Sequence, residues 1–295
     1  MNGSTIFFWS LRRRRLFEEC RRRYYLTFHA APAGADPDSP PELRELHRLA
    51  TLQEADEYLL RLLTSELRAE FQEPPDAAGD PAEKLHRRLL KRFHREYRDM
   101  LFGRCEADHR LPMLAELYRG DVPAGEFGRQ FEQKLASAAF RCAPLVRRLA
   151  EIPPEFRRTP PAPATVHVND LPCRTTLFLG WLEAGCLQLV DTALDEAGLL
   201  LHRFYALETL RIPPERVRSF RFALDTGALL PVDGALNLSR AMRQLITSAA
   251  SIQNALEPDG EASSAAFPPA KNRCRFCPFE AFCVSSRFSG PELLR

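Results

Sequence analysis

The chain has 295 residues, 45% apolar and 27% charged, which is enough for one large or two modest hydrophobic cores. A net charge of +2 says little about partners, so any preference must come from how charge is distributed. No apolar run approaches the roughly 20 residues of a bilayer span, and the N-terminal arginines follow the apolar stretch, the reverse of a secretory signal. A cytoplasmic protein is therefore expected, and in a reducing compartment its eight cysteines favour metal ligation over disulfides.

In chain order, residues 6–30 read as a helix in which Phe7, Phe8, Leu11, Leu16, Phe17 and Tyr24 are interrupted by arginines. "LRRRRLFEECRRRYY" places seven arginines within residues 12–23, beside two tyrosines. Such density fits a solvated helix face. It also fits phosphate contacts with base stacking, which makes Arg12, Arg13, Arg14, Arg15, Arg21, Arg22, Arg23, Tyr24 and Tyr25 candidate nucleic-acid contacts. "HAAPAGADPDSPP" at 29–41 reads as a loop.

From residue 42 to 149 apolar residues recur every three or four positions, and one helix opens with the acidic, proline-bearing "DPAEKLHRRLL". Five prolines in "PPEFRRTPPAPA" end this helical stretch. Beyond residue 165 the pattern alternates and predicts a hairpin about Glu-Ala-Gly. A helix follows in "GLLLHRFYALETLRI", then two strands about Asp-Thr-Gly in "RVRSFRFALDTGALLPV". "NLSRAMRQLITSAASIQNAL" is a long helix capped by Asn237 or Ser239. A loop, "EPDGEASSAAFPPAKN", leads into the tail. No internal repeat is visible. Four segments result: 1–40 with the basic helix, 41–160 all-helical, 161–256 mixed strands and helices, and 257–295 rich in cysteine.

That tail contains Cys274, Cys277 and Cys283, spaced C-x2-C-x5-C. A tetrahedral metal or an iron–sulfur cluster takes four ligands, and neither a second C-x2-C nor a following histidine is present. Cys173 and Cys186 sit in apolar strands and read as small core residues. Cys105 and Cys142 neighbour helix ends and carry no second signal. Cys20 stands apart because of its flanks.

"FEECRRRYYLTF" at 17–28, together with the C-terminal spacing, resembles the iron–sulfur branch of the PD-(D/E)XK nucleases. That branch includes RecB-like nucleases of CRISPR adaptation and the nuclease domain of AddB-type helicase–nucleases. The resemblance covers nearly the whole chain. It implies an α/β, restriction-endonuclease-like core at 161–256, a large helical insert and an iron–sulfur-stapled tail. It also implies Cys20, Cys274, Cys277 and Cys283 as ligands of a [4Fe–4S] cluster. Closing so long a loop would constrain the unfolded chain by roughly 4–5 kcal/mol. Structural zinc in the same thiolates is the rival.

An active member of the family holds Mg²⁺ or Mn²⁺ with a helix-borne His, a strand Asp and an acid two residues before a Lys. "GDPAEKLHRRLL" makes His86 the matching histidine. In "PCRTTLFL" the place of the metal-binding Asp is taken by Thr176. "LQLVDTAL" supplies Asp191 in register, but Ala193 stands where the Lys belongs. "LLHRFYALETL" keeps the motif tyrosine as Tyr205, with Leu201 at the Gln position. Two of three core catalytic positions are lost, although Glu183, Asp195 and Glu196 stand nearby in sequence.

The resemblance therefore implies a nuclease fold without nuclease chemistry, binding single-stranded or unwound DNA within a defence, CRISPR or DNA-repair assembly. DNA is favoured over RNA, with protein partners and no membrane. The alternatives are an active Mg/Mn-dependent exonuclease with a diverged site, and a scaffold subunit contacting proteins only. A redox or sensing role for the cluster is a further possibility that no residue singles out.

Overall fold

The computed structural model describes residues 7–72, 79–108, 111–161, 163–232, 237–256, 268–270, 274 and 277–284. The chain is α/β. It opens with β1 (Trp9–Ser10), α1 (Leu11–Glu19) and α2 (Arg21–Tyr25), followed by a π-helical turn at Leu26–Ala30 and a 3-10 turn at Ala31–Ala35. Next come α3 (Pro41–Thr51), β2 (Leu52–Gln53), α4 (Ala55–Gln72), α5 (Pro81–Leu101), α6 (Arg104–Ala107), β3 (Met113–Leu114), α7 (Ala115–Arg119) and α8 (Ala124–Ala150). The strand-rich part comprises β4 (Ala164–Val168), β5 (Leu171–Thr175), β6 (Leu179–Glu183), β7 (Cys186–Asp191), α9 (Glu196–Leu210), β8 (Val217–Ala223) and β9 (Ala228–Pro231). Then follow α10 (Leu238–Leu256) and α11 (Glu280–Val284).

These elements form two compact units, each assembled from three chain segments. One holds residues 1–11, 56–94 and 128–246; the other holds 12–55, 95–127 and 247–295. The linear boundaries expected at 40/41, 160/161 and 256/257 are not those of the units, because α5, α8 and α10 each contribute residues to both.

The first unit contains the sheet β6-β7-β8-β9, in which β6/β7 and β8/β9 are antiparallel and β7/β8 are parallel. A parallel neighbour needs a crossover, and α9 supplies it. β7 is buried almost throughout, as a central strand covered on both faces should be. The sheet β1-β5-β4 lies in the same unit, with Trp9 registered against Cys173.

Both expected turns are present. Ala184 and Gly185 turn β6 into β7 with φ of 50° and 75°, and Gly227 turns β8 into β9 with φ of 69°. A Cβ on Gly227 would lie 2.5 Å from the Arg141 carbonyl oxygen, so glycine is required there for space as well as for torsion. A hairpin not foreseen joins β4 to β5 through Asn169 and Asp170, both left-handed and both residue types that tolerate that region. Asn237, rather than Ser239, caps α10: its Oδ1 accepts from the Arg240 N–H at 2.9 Å.

The expected continuous helix over 6–30 is corrected on two counts. It begins with β1, whose partner is more distant in sequence than any local pattern reaches, and it breaks at Cys20. The all-helical reading of 41–160 is likewise broken by β2 and β3, which pair in parallel. The loop at 29–41 contains the 3-10 turn Ala31–Ala35. The expected loop at 257–272 lies mostly outside the described residues.

In the second unit, Leu26, Ala30, Ala31, Leu43, Leu46, Leu49 and Phe279 form one buried apolar cluster. Phe279 comes from the cysteine-rich tail and is 1% exposed. Gly34 sits so close to α3 that a Cβ would lie 1.8 Å from the Leu43 carbonyl oxygen, which explains why the turn carries glycine.

Candidate functional site

Cys20 separates α1 from α2. Its backbone is extended (φ −161°, ψ 106°), its N–H closes α1 on the Leu16 carbonyl, and its carbonyl accepts the Tyr24 N–H that opens α2. The Cys20 sulfur accepts from the Arg23 N–H at 3.4 Å, taking the place a serine hydroxyl takes at an N-cap. In the tail, the Cys277 N–H donates to the Cys274 carbonyl at 2.9 Å and the Cys283 N–H donates to the Phe279 carbonyl at 2.9 Å. With Phe279 embedded in the apolar cluster, these turns aim the C-terminal thiols back at residue 20.

All four cysteines line one cavity, together with Glu19, Arg22, Arg23, Leu26, Phe279 and Glu280 among others. The sulfurs share this cavity without meeting at a point: among the described residues, no three His, Cys, Asp or Glu side chains are arranged to hold a single ion. Burial pushes the Cys277 thiol up, and so do Cys20 and Cys283, while the Phe279 N–H and the Arg23 charge pull it down. Burial likewise pushes Cys283 up, Arg22 opposes it, and Cys274 and Cys20 add to the rise. Four neighbouring thiols resist losing four protons together unless cations compensate. The donor set is all sulfur, backed by two guanidinium groups, and it suits a soft metal or an iron–sulfur cluster.

The remaining cysteines lie elsewhere. Cys105, Cys142 and Cys173 are buried and Cys186 is half-buried. Burial raises Cys142 to about 11 and Cys173 to about 12, so both are inert thiols at neutral pH. Cys142 sits within α8, not near its end.

The arginine–tyrosine segment is only partly a surface. Arg13 is 6% exposed and Tyr24 is 0% exposed, which corrects their assignment as nucleic-acid contacts. The physical reason is helical spacing. Within α1, Arg13 and Phe17 fall at i and i+4 and are its two buried residues, so Arg13 lies on the inward face. Its guanidinium lies 4.6 Å from the Phe28 ring centre, a cation–π contact. Arg22 and Arg23 turn toward the thiols. Tyr25 is half-buried and stacked on His29, and Arg14 pairs with Glu18 at 3.4 Å. Arg12, Arg15 and Arg21 are exposed.

The nuclease-motif residues occupy the first unit. Asp191 ends β7, and Thr176 follows β5; the two side chains meet, with the Thr176 hydroxyl donating to Asp191 Oδ1. The Thr175 hydroxyl donates to Oδ2 at 3.0 Å, the Ala193 N–H donates to Oδ1 at 3.2 Å, and His202 Nε2 stands 3.4 Å from Oδ2. His202 Nδ1 lies 2.8 Å from the Ser219 hydroxyl. Asp191, His202 and Ser219 are all buried. Burial alone would raise the Asp191 pKa, but the hydrogen bond and charge of His202, the Thr176 hydroxyl and the Ala193 N–H outweigh it and hold the carboxyl below its ordinary range.

Both carboxylate oxygens are thus satisfied by protein donors. Sequence reasoning had not singled out Thr175, His202 or Ser219; the signal was a histidine on the apolar helix that carries Tyr205. Tyr205 itself is buried on α9, where burial raises its pKa against the pull of Arg68. His86 is half-buried on α5 and joins no metal-capable group among the described residues. Glu183, on β6, pairs with Arg148 and accepts from the Trp181 indole N–H at 3.2 Å. Asp195 caps α9 through the Gly198 N–H at 2.9 Å, and Glu196 lies 3.5 Å from Arg240. Among the described residues, no helix is long and apolar enough to cross a membrane. Comparison with protein-family models, with curated proteins and with solved structures gave no match.

Proposed function

We propose that the chain is a [4Fe–4S] protein of restriction-endonuclease-like fold that has lost nuclease chemistry. It binds single-stranded or unwound DNA as a subunit of a defence or DNA-repair assembly. The observation that carries this reading is the convergence of Cys20 with Cys274, Cys277 and Cys283 on one cavity backed by Arg22 and Arg23.

The four thiolates would hold the cluster, which supplies a cross-link between the ends of the chain and a centre able to take up one electron. Each thiolate of a cubane holds a different iron, so the sulfurs need not meet at a single point, as a tetrahedral zinc would require. The guanidinium groups of Arg22 and Arg23 offset part of the thiolate charge. The meeting of Thr176 with Asp191 supports the motif alignment, because the resemblance assigns those two positions to neighbouring metal ligands. The hydrogen bonds that occupy Asp191 weigh against an active site there.

The DNA-contact surface under this reading narrows to Arg12, Arg15 and Arg21, with Arg14 beside them. A second reading, a scaffold that contacts only proteins, draws on the burial of Tyr24 and the stacking of Tyr25 on His29, which leave the arginine segment without a free tyrosine platform.

Anaerobic purification with iron and acid-labile sulfide assays tests the first half. About four irons per chain are expected, and Cys274→Ser should lose iron and solubility together. Stoichiometric zinc, or wild-type iron in that variant, would sink the ligand set. For the second half, a triple Arg12, Arg15, Arg21→Ala variant should weaken binding of an oligo-dT strand and flatten its salt dependence by about two to three counterions. Absence of binding by the wild-type chain at low salt decides for the scaffold.

A further inference from the structure

Another cavity, of about 980 Å³, opens in the first unit between the end of α8, the β6/β7 turn and the loop that follows α9. Its volume is at the upper end of the range for small-molecule sites, roughly 300–1,000 Å³. Three arginines line it: Arg148, Arg211 and Arg216. Arg148 is held by Glu183, to which it donates at 3.2 Å, and its guanidinium lies over the Trp181 ring. Arg211 and Arg216 are exposed, and beyond the backbone N–H groups that donate to the Ala206 and Pro213 carbonyls their guanidinium groups make no hydrogen bond or ion pair within the described residues. Phe156, 44% exposed, adds an aromatic ring to the lining of the same cavity. Glu151 adds a carboxylate that can accept from an amino or hydroxyl group.

Arg211 is the informative residue. It is the C-cap of α9 with φ of 57°, a left-handed position where glycine or asparagine is the ordinary choice. A long, charged side chain there is held against local backbone preference, and such departures gather at binding sites. Its guanidinium shares the cavity with that of Arg216 and with an aromatic ring. Two unpaired cations, a stacking face and a carboxylate acceptor together match a phosphate joined to a base and a sugar.

We infer that this cavity binds a nucleoside phosphate, either a free nucleotide or the 5′-phosphorylated end of a strand. The guanidinium groups of Arg211 and Arg216 take the phosphate, the Phe156 ring stacks on the base, and Glu151 accepts from an amino or hydroxyl group. The site is independent of the cysteine cavity and stands whether or not the cysteines hold a cluster.

The test is equilibrium binding to the full chain of AMP, of a 5′-phosphorylated hexanucleotide and of the same hexanucleotide with a 5′-hydroxyl. The phosphorylated hexamer or AMP should bind at least tenfold more tightly than the hydroxyl form. Arg211→Gly should abolish most of that advantage while leaving iron content unchanged, and because glycine favours the left-handed backbone its Tm should be equal or higher. Arg216→Gln should act in the same direction, and Phe156→Ala should weaken AMP more than it weakens inorganic phosphate. Saturable AMP binding identifies a free nucleotide as the ligand; binding of the phosphorylated hexamer alone identifies a strand end. Equal affinity for the two hexamers with no AMP binding overturns the inference, as does a phosphate preference that survives both arginine variants.

Discussion

The cysteine cavity and the Asp191 network are opposite outcomes of the same problem: how to bury groups that water would otherwise solvate. Around Asp191 each carboxylate oxygen has two partners, drawn from two threonine hydroxyls, a backbone N–H and His202, and the imidazole is in turn held by Ser219. Nothing there calls for a ligand. Around Cys20 four thiols face one another, two of them pushed toward protonation by burial and by their neighbours, with Arg22 and Arg23 opposing that push. Thiols are weak hydrogen-bond partners: the Cys20 sulfur accepts only from the Arg23 N–H at 3.4 Å and Cys274 reaches the Ala270 carbonyl at 3.6 Å, so under the proposed reading a ligand would complete the set. A buried polar group completed by protein reads as structure. One completed only by a ligand reads as a site.

The sharpest way to break this comparison is to remove the apolar anchor of the cysteine cavity. Phe279 is buried among Leu26, Leu43 and Leu46, and truncation of a core phenylalanine costs about 3–5 kcal/mol. Phe279→Ala should therefore release the tail and, if the proposed cluster is bound, strip most of its iron, although every cysteine remains. Iron assays and limited proteolysis of the C-terminus measure this. Full iron with a protected tail would show that the sulfurs, not the phenylalanine, position the segment.

A comparable loss of stability without any loss of ligand is expected at the other site. Removing the Asp191 carboxylate leaves the buried Thr175, Thr176 and Ala193 donors without their acceptor, at about 1–3 kcal/mol for each group left unsatisfied, so Asp191→Ala should lower Tm markedly while any iron content and nucleic-acid binding stay at wild-type levels. Asp191→Asn keeps the shape and should cost less. Because the folded Asp191 carboxyl titrates below its unfolded value, its contribution is present above about pH 4 and is lost as pH falls through the folded pKa. If Mn²⁺ raised the Tm of the wild type but not of Asp191→Asn, the network would be a metal site and the contrast would fail.

The two sites differed in how much of them the sequence disclosed. The C-x2-C-x5-C spacing singled out Cys274, Cys277 and Cys283, because motif spacing survives being read in one dimension, and the family resemblance of the Cys20 flanks implied the fourth; all four line the cavity. The hairpins about Glu-Ala-Gly and Asp-Thr-Gly and the amphipathic helices were equally legible, since turn chemistry and periodicity are local. The closure of Asp191 was not, because His202 and Ser219 arrive on α9 and β8 through a parallel crossover. The break at Cys20 was hidden for another reason: apolar spacing is helical on both sides, and a cysteine sulfur acting as a cap has no strong sequence signal. Arg13 misled because a run of arginines looks solvated as a whole, whereas its place one turn before Phe17 on the buried face of α1 decides the matter.

That inward arginine sets up the smallest of the expected effects, and the one that best tests whether the Arg13 pocket is as dry as the Asp191 site. His29 lies within reach of the Tyr24 hydroxyl, at 3.5 Å. Burial, then the Arg13 charge, lowers its pKa from 6.5 to about 4. The folded protein therefore keeps His29 neutral where the unfolded chain takes up a proton. Between about 6.5 and 4 the unfolded state binds more protons, so stability falls as pH falls through that window and is unaffected above it. Going from pH 7 to pH 5 should cost the wild type on the order of 1–2 kcal/mol through this group. His29→Gln, which cannot titrate, should remove that part of the slope while leaving the Asp191 contribution at lower pH intact. Anaerobic urea melts at pH 7, 6 and 5 on the chain as purified measure the difference. Parallel slopes for wild type and variant would mean that water reaches His29, and that the interior stripe of α1 and α2 is open where the Asp191 network is closed.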